Sequence, residues 1–169
     1  EVDLAAADRV LAELDELVGL DDLKAGLRGM VKGALERRRR LESDGVAPEE
    51  TLHLVFLGNP GTGKTTVARI VARLFHALGA LPSDSFREAS AKDIKSEYDG
   101  ETRTNMQRLL KSALGGVLFL DEAQQFSNPE DRKSAEAIEA LVPMAWNHRH
   151  ELIIILAGYS AGMLDLMDM

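Results

Sequence analysis

The residues whose types and spacing carry the clearest chemistry are Gly58-Asn59-Pro60-Gly61-Thr62-Gly63-Lys64-Thr65, entered from the apolar run Leu52-His53-Leu54-Val55-Phe56-Leu57. Glycines at both ends and in the middle let successive backbone N–H groups turn inward around a polyphosphate, and a helix starting here brings its positive end to the same anion. Lys64 would reach the outer phosphates, and the Thr65 hydroxyl would sit on a magnesium ion. A second group stands far along the chain, where Val117-Leu118-Phe119-Leu120 run directly into Asp121 and Glu122. A carboxylate at the end of a strand neighbouring the loop's own strand can hold the magnesium through water. Glu122, beside that ligand, can polarise a water for in-line attack on a γ-phosphoryl group, so the pair implies hydrolysis and not binding alone.

Composition limits what surrounds these groups. A chain of 169 residues that is 45% hydrophobic can bury one core. Its formal charge of −8 disfavours nonspecific attraction to nucleic acid or anionic lipid. The absence of cysteine removes disulfides, thiolate zinc sites and cysteine nucleophiles together, and it fits a reducing, cytoplasmic setting. Leu152 to Ala157, the longest apolar run near the end, is far below the ~18 residues of a membrane helix, and the acidic N-terminus shows no signal peptide. Four consecutive arginines, Arg37 to Arg40, read as a solvated helix terminus, pointing to all sides and loading its C-terminal end. His148, His150 and Glu151 sit in a polar connector with no third ligand evident and are expected to be solvated. Trp146, Met163, Met167 and Met169 are expected to pack. The chain begins at Glu1 and stops in an apolar and acidic run, which reads as a piece of something longer.

The elements that must position the two groups follow from periodicity. Leu4, Ala7, Val10, Leu11, Leu14 and Leu17 mark one helix face, and after a break at Val18-Gly19-Leu20 a second helix, capped by Asp21, carries Leu23, Leu27, Met30, Val31, Ala34 and Leu35 and ends in Glu36 to Arg40. Leu41 to Glu50 reads as a loop, and Thr51 to Leu57 as a buried, central parallel strand. Val67, Ile70, Val71, Leu74, Phe75 and Leu78 make the core face of the helix after the phosphate loop, closed by Gly79. Phe86 to Ala89 is a shorter, more polar strand nearer an edge. Ser90 and Asp93 are spaced like a helix start, Glu101 to Ala113 is a clear helix, and Ala123 to Lys133 must loop. A helix carrying Ala135, Ile138, Leu141 and Val142 should kink or end at Pro143, before a fourth strand at Ile153 to Ala157. The alternation is an α/β pattern with a parallel sheet.

Gly58-Asn59-Pro60-Gly61-Thr62-Gly63-Lys64-Thr65 together with Leu118-Phe119-Leu120-Asp121-Glu122-Ala123 resembles an AAA+ ATPase, and Leu17-Val18-Gly19-Leu20, Gly115-Gly116-Val117 and Ile155-Leu156-Ala157-Gly158-Tyr159 narrow the resemblance to the CbxX/CfqX branch, which includes red-type Rubisco activases and ATPases of type VII secretion. It implies a P-loop NTPase α/β/α sandwich, with residues 1–17 an N-terminal helix or linker and 18–169 a nucleotide-binding core lacking a fifth strand and helical lid. Val18, Gly19 and Leu20 would line the adenine pocket. Asn59, Pro60, Gly61, Thr62, Gly63, Lys64, Thr65 and Thr66 would hold ATP, Thr65 and Asp121 the Mg2+, and Glu122 and Lys64 would do the catalysis. Tyr98, Asp99 and Gly100 would form a pore loop that grips a polypeptide in a ring of copies, by family habit a hexamer. An apolar residue is usual where Asp99 stands. Tyr159 takes the place of a polar sensor. The arginine finger and second sensor of the family lie past the end of these residues, so this piece alone is expected to be a feeble ATPase. A protein substrate is the implied partner, with no membrane and no nucleic acid. A switch or scaffold role without threading is the alternative.

Overall fold

The computed structural model describes residues 2–17, 21–45, 52–58, 63–159 and 163. Strands β1 (Leu54–Leu57), β2 (Phe86–Ser90), β3 (Val117–Asp121) and β4 (Ile153–Gly158) form one parallel sheet in the order β1-β4-β3-β2. Helices α1 (Leu4–Glu16), α2 (Asp21–Asp44), α3 (Lys64–Ala77), α4 (Ala91–Ile94), α5 (Glu101–Ala113) and α6 (Arg132–Asn147) surround it, with a 3₁₀ turn at Ala123–Phe126.

Side chains alternate across each strand and so feed two cores. Val117 and Phe119 of β3, with Ile153, Ile155 and Ala157 of β4, pack under α1, α2 and α3. Leu118, Leu120 and Ile154 pack on the other side with Met106 and Leu110 of α5 and Ala137, Ala140 and Leu141 of α6. A parallel sheet covered on both faces needs apolar residues at every position, which is why Val117-Leu118-Phe119-Leu120 is an unbroken run buried throughout. The result is the three-layer α/β/α sandwich expected from the sequence. Gly116 opens β3 because Ser85 lies against it: a Cβ there would meet the Ser85 carbonyl oxygen at 2.2 Å.

Several expectations are corrected. Strand β1 has a neighbour on one side only among the described residues, and its Val55 and Leu57 are 36% and 48% exposed, so the strand is not buried throughout. Helix α2 continues through Leu41 to Asp44, because no helix breaker intervenes before Gly45, and Arg38 pairs with Glu42 one turn on. The arginines therefore lie within the helix and not in its last turn. Asp21 is the first helical residue rather than a flanking cap. Ala123–Phe126 forms a 3₁₀ turn where a loop is expected. Helix α6 runs on through Pro143, so of the expected kink or end the end is ruled out. Pro143 is exposed, so the carbonyl it leaves unpaired one turn back can face water, and the helix end beyond it is held by His53, whose Nε2 lies 2.8 Å from the Ala145 oxygen. Met163 is fully buried, as packing required.

Candidate functional site

Strand β1 runs into Gly58, whose N–H extends the sheet ladder to the Gly158 oxygen at 3.1 Å. Gly63 then flanks the first turn of α3 with φ 85°, a left-handed conformation that a side chain would strain. The N–H groups of that first turn are free of helical partners and, with the helix dipole, favour an anion. Lys64 is 8% exposed, and its ammonium donates to the Gly58 oxygen at 2.9 Å. Thr65 points its hydroxyl toward Glu88 Oε1 at 3.5 Å, and Thr66 is exposed. Asn59, Pro60, Gly61 and Thr62 lie outside the described residues, as do Val18, Gly19 and Leu20 of the expected adenine pocket.

The carboxylates stand one strand removed, with β4 between them and the phosphate loop. Asp121 closes β3 level with Ser90 of β2, and its Oδ1 accepts the N–H of Glu122 at 2.8 Å. Glu122 has φ 54°, the one non-glycine residue with positive φ among those described, a backbone state that costs about 1–3 kcal/mol and persists where surroundings enforce it. Three groups hold its carboxylate. Ser90 Oγ donates to Oε2 at 2.8 Å, Gln125 Nε2 donates at 3.4 Å, and the Lys92 ammonium lies 3.7 Å away.

Thr65 and Asp121 supply the hard oxygen donors that magnesium takes, and Glu88 adds a carboxylate beside the Thr65 hydroxyl. Among the described residues no cluster of three or more His, Asp or Glu side chains forms an all-protein metal cage.

Ser90 and Glu88 are absent from the expected site. Ser90 does flank α4, as its spacing suggests, but its side chain makes no capping bond and is spent on Glu122. The available signal was the two-residue alternation of β2, which puts Phe86, Glu88 and Ser90 on the face where Phe86 stacks on Phe119.

Tyr98 is 77% exposed in the segment between α4 and α5, and Gly100, with φ 78°, turns the chain into α5. Asp99 pairs with Arg132 at 3.5 Å. Tyr159 follows β4, the strand between the phosphate loop and the carboxylates, and is 43% exposed. His148 Nδ1 lies 2.5 Å from Glu151, a pair within the connector. A cavity of about 410 Å³ lined by Arg37, Arg38, Leu52, Gly79 and Arg149 lies at the opposite end of the strands, away from these groups.

Comparison with known proteins identifies the family. A family model described as "ATPase family associated with various cellular activities (AAA)" matches residues 54–168. The chain is similar to the protein CbxX (plasmid) of Cupriavidus necator, 41% identical over 162 residues that cover 94% of this chain and 50% of that protein. It is similar to Stage V sporulation protein K of Bacillus subtilis, 38% identical over 152 residues, 89% of this chain and 47% of that protein. It is also similar to the ESX-1 secretion system protein EccA1 of Mycolicibacterium smegmatis, 35% identical over 174 residues, 98% of this chain and 30% of that protein. The chain thus spans about half the length, or less, of these curated relatives. They bear out the resemblance drawn from the sequence.

Proposed function

The chain belongs to the AAA family of ATPases, and from that premise we propose that it binds ATP with Mg2+ at the phosphate loop, hydrolyses it through Glu122, and uses the cycle to move Tyr98 against a polypeptide inside a cytoplasmic ring of copies, six by family habit. The observation that carries the reading is the Glu122 carboxylate, placed directly after Asp121 at the end of a buried strand and held in reserve by Ser90. Residues that bind the triphosphate are the backbone of residues 58–66 and Lys64, with Val18, Gly19 and Leu20 proposed at the base. Thr65 and Asp121 would hold the magnesium ion, which supplies charge neutralisation at the phosphate oxygens.

The remaining steps belong to this chain's own groups. Lys64 leaves the Gly58 oxygen for the outer phosphates, trading a neutral acceptor for an anionic one. Glu122 leaves Ser90 and takes a proton from the attacking water as general base. Tyr159, at the end of the strand between the two motifs, is proposed to orient that water.

The test is Glu122→Gln in the full chain. ATP binding is expected to persist while phosphate release falls by about 10²–10⁴-fold, the usual worth of a general base. Undiminished release would sink the assignment.

One observation favours a second reading, an ATP-dependent switch or scaffold that threads nothing: Asp99, next to Tyr98, is a charge paired with Arg132 of the same chain. Tyr98→Ala separates the two. A threading motor loses substrate remodelling and keeps its ATPase rate, whereas a switch is indifferent in both.

A further inference from the structure

We propose that Lys95, Asp131 and the Gln125 carbonyl form a joint that carries the state of the Glu122 carboxylate to the loop bearing Tyr98, making Lys95 a positioning residue for coupling. The proposal rests on the ATPase reading above and names the connection between its two halves.

Lys95 directly follows α4 and opens the segment that carries Tyr98. Its ammonium donates to the Gln125 oxygen at 2.5 Å and to Asp131 Oδ2 at 2.9 Å, and it lies 5.7 Å from the centre of the Phe126 ring. The pair is partly exposed, with Lys95 and Asp131 side chains 21% and 30% exposed. Asp131 also flanks α6, accepting Lys133 N at 3.1 Å, and it takes the Ser134 hydroxyl at 2.8 Å. Ser134 Oγ lies 3.0 Å from the same Gln125 oxygen. One carbonyl, one ammonium, one carboxylate and one hydroxyl therefore lock the 3₁₀ turn, the start of α6 and the root of the Tyr98 loop together. Lys95 and then Ser134 hold the Asp131 carboxyl down at about 2, so Asp131 stays ionised at any ordinary pH.

The loop is tied to the same helix end a second time, through Asp99 and Arg132 at 3.5 Å. Between the two ties it is cross-braced. Ser96 Oγ donates to Glu101 at 2.6 Å and accepts Tyr98 N at 3.2 Å, while Ser96 N donates to the buried Thr102 hydroxyl at 2.9 Å. A braced loop follows its anchors instead of absorbing their motion.

The opposite end of the joint is the catalytic carboxylate. Gln125 touches Glu122 through its side-chain amide and Lys95 through its carbonyl. Glu122 heads the 3₁₀ turn in a strained left-handed conformation held by Ser90 and Gln125. When the carboxylate leaves those partners, the strain has no support and the turn has a second arrangement open to it. Any shift of the turn moves the Gln125 carbonyl, and with it the ammonium at the root of the loop. Coupling of this kind requires an element with two arrangements that both sites bias, and the turn from Glu122 to Phe126 is that element.

The experiment uses the full chain with Glu97→Cys, an exposed position beside Tyr98, carrying an environment-sensitive dye and titrated with Mg-ATP and with Mg-ADP. The dye signal is expected to differ between the two nucleotides. Lys95→Met, which keeps the stem over Phe126, should shrink that difference by about two- to thirty-fold while ATP still binds with its original affinity. Asp131→Asn, which retains a capping side chain, should shrink it similarly, the double variant no further than either, and Lys95→Arg should restore most of it. A merely structural clamp predicts no such pattern. An undiminished difference in Lys95→Met with ATP bound, or a wild-type signal indifferent to nucleotide, overturns the joint alone. Failure of the wild type to bind ATP overturns the reading beneath it, and the joint with it.

Discussion

Helix α6 is fastened at both ends, but by opposite means. Its N-terminal end, near the carboxylates, is held by charge: Asp131 faces Lys95, with Ser134 alongside. Its C-terminal end, at the other pole of the sheet, is held by a neutral ring. His53 Nδ1 accepts the Ile154 N–H at 2.9 Å, and an amide can only donate, so Nδ1 carries no proton. The hydrogen therefore sits on Nε2 and is donated to the Ala145 oxygen at 2.8 Å, one of the last carbonyls of α6. Burial lowers the His53 pKa from 6.5, opposed only by the bond to Ala145. The difference follows from surroundings. The end near the site is wet enough to keep an ion pair, and it can be remade as groups move, whereas the far end lies among Leu141, Ala145 and Trp146, where a charge would be costly and a neutral bridge is not.

The comparison breaks most readily at the far end. His53→Ala leaves the Ile154 N–H and the Ala145 carbonyl without a partner, and each buried orphan costs about 1–3 kcal/mol. A loss of about 2–4 kcal/mol in the urea unfolding free energy is expected. Asp131→Ala removes a cap and a partly exposed ion pair and should cost less, about 1–2 kcal/mol. If the order of the two reverses, the far end is not the structural one.

Much of this was legible and some was not, for identifiable reasons. The run Val117 to Leu120 declares a strand buried on both faces, and the acidic pair after it marks the candidate site. The similar run before Gly58 misleads, because apolar residue types announce a strand but do not announce that Val55 and Leu57 stay exposed on one face. Leu41 and Glu42 look like loop only when Gly45 is read too early. Ser90 occupies the position its spacing suggests, yet its hydroxyl is used elsewhere, and local spacing cannot announce a partner 32 residues away. Lys95, Gln125 and Asp131 come from three separate segments with no shared period, so their meeting is a product of the fold. His53 hides in an apolar run, where its two ring nitrogens are the only sign that it bridges β4 and α6.

The sharper and smaller effect is in pH. The folded protein holds a proton on His53 less readily than the unfolded chain, whose value is 6.5. Above 6.5 neither state is protonated there and the bridge contributes fully. As pH falls below 6.5 the unfolded state gains a proton that the folded state resists, so stability declines, with a slope approaching about 1.4 kcal/mol per pH unit until the lowered folded value is reached. Asp131 behaves the same way about its own, lower, ordinary value: its contribution is complete above 3.8 and is lost as pH falls from there through about 2. The two fastenings therefore fail in separate windows. In His53→Gln an amide can donate and accept without titrating, so the unfolding free energy of wild type minus that of His53→Gln should be flat above 6.5, fall as pH drops below 6.5, and leave the acid window of Asp131 in place. A difference that stays flat throughout would mean that the ring tolerates its second proton where it lies, and that the two ends of α6 are not held by opposite means.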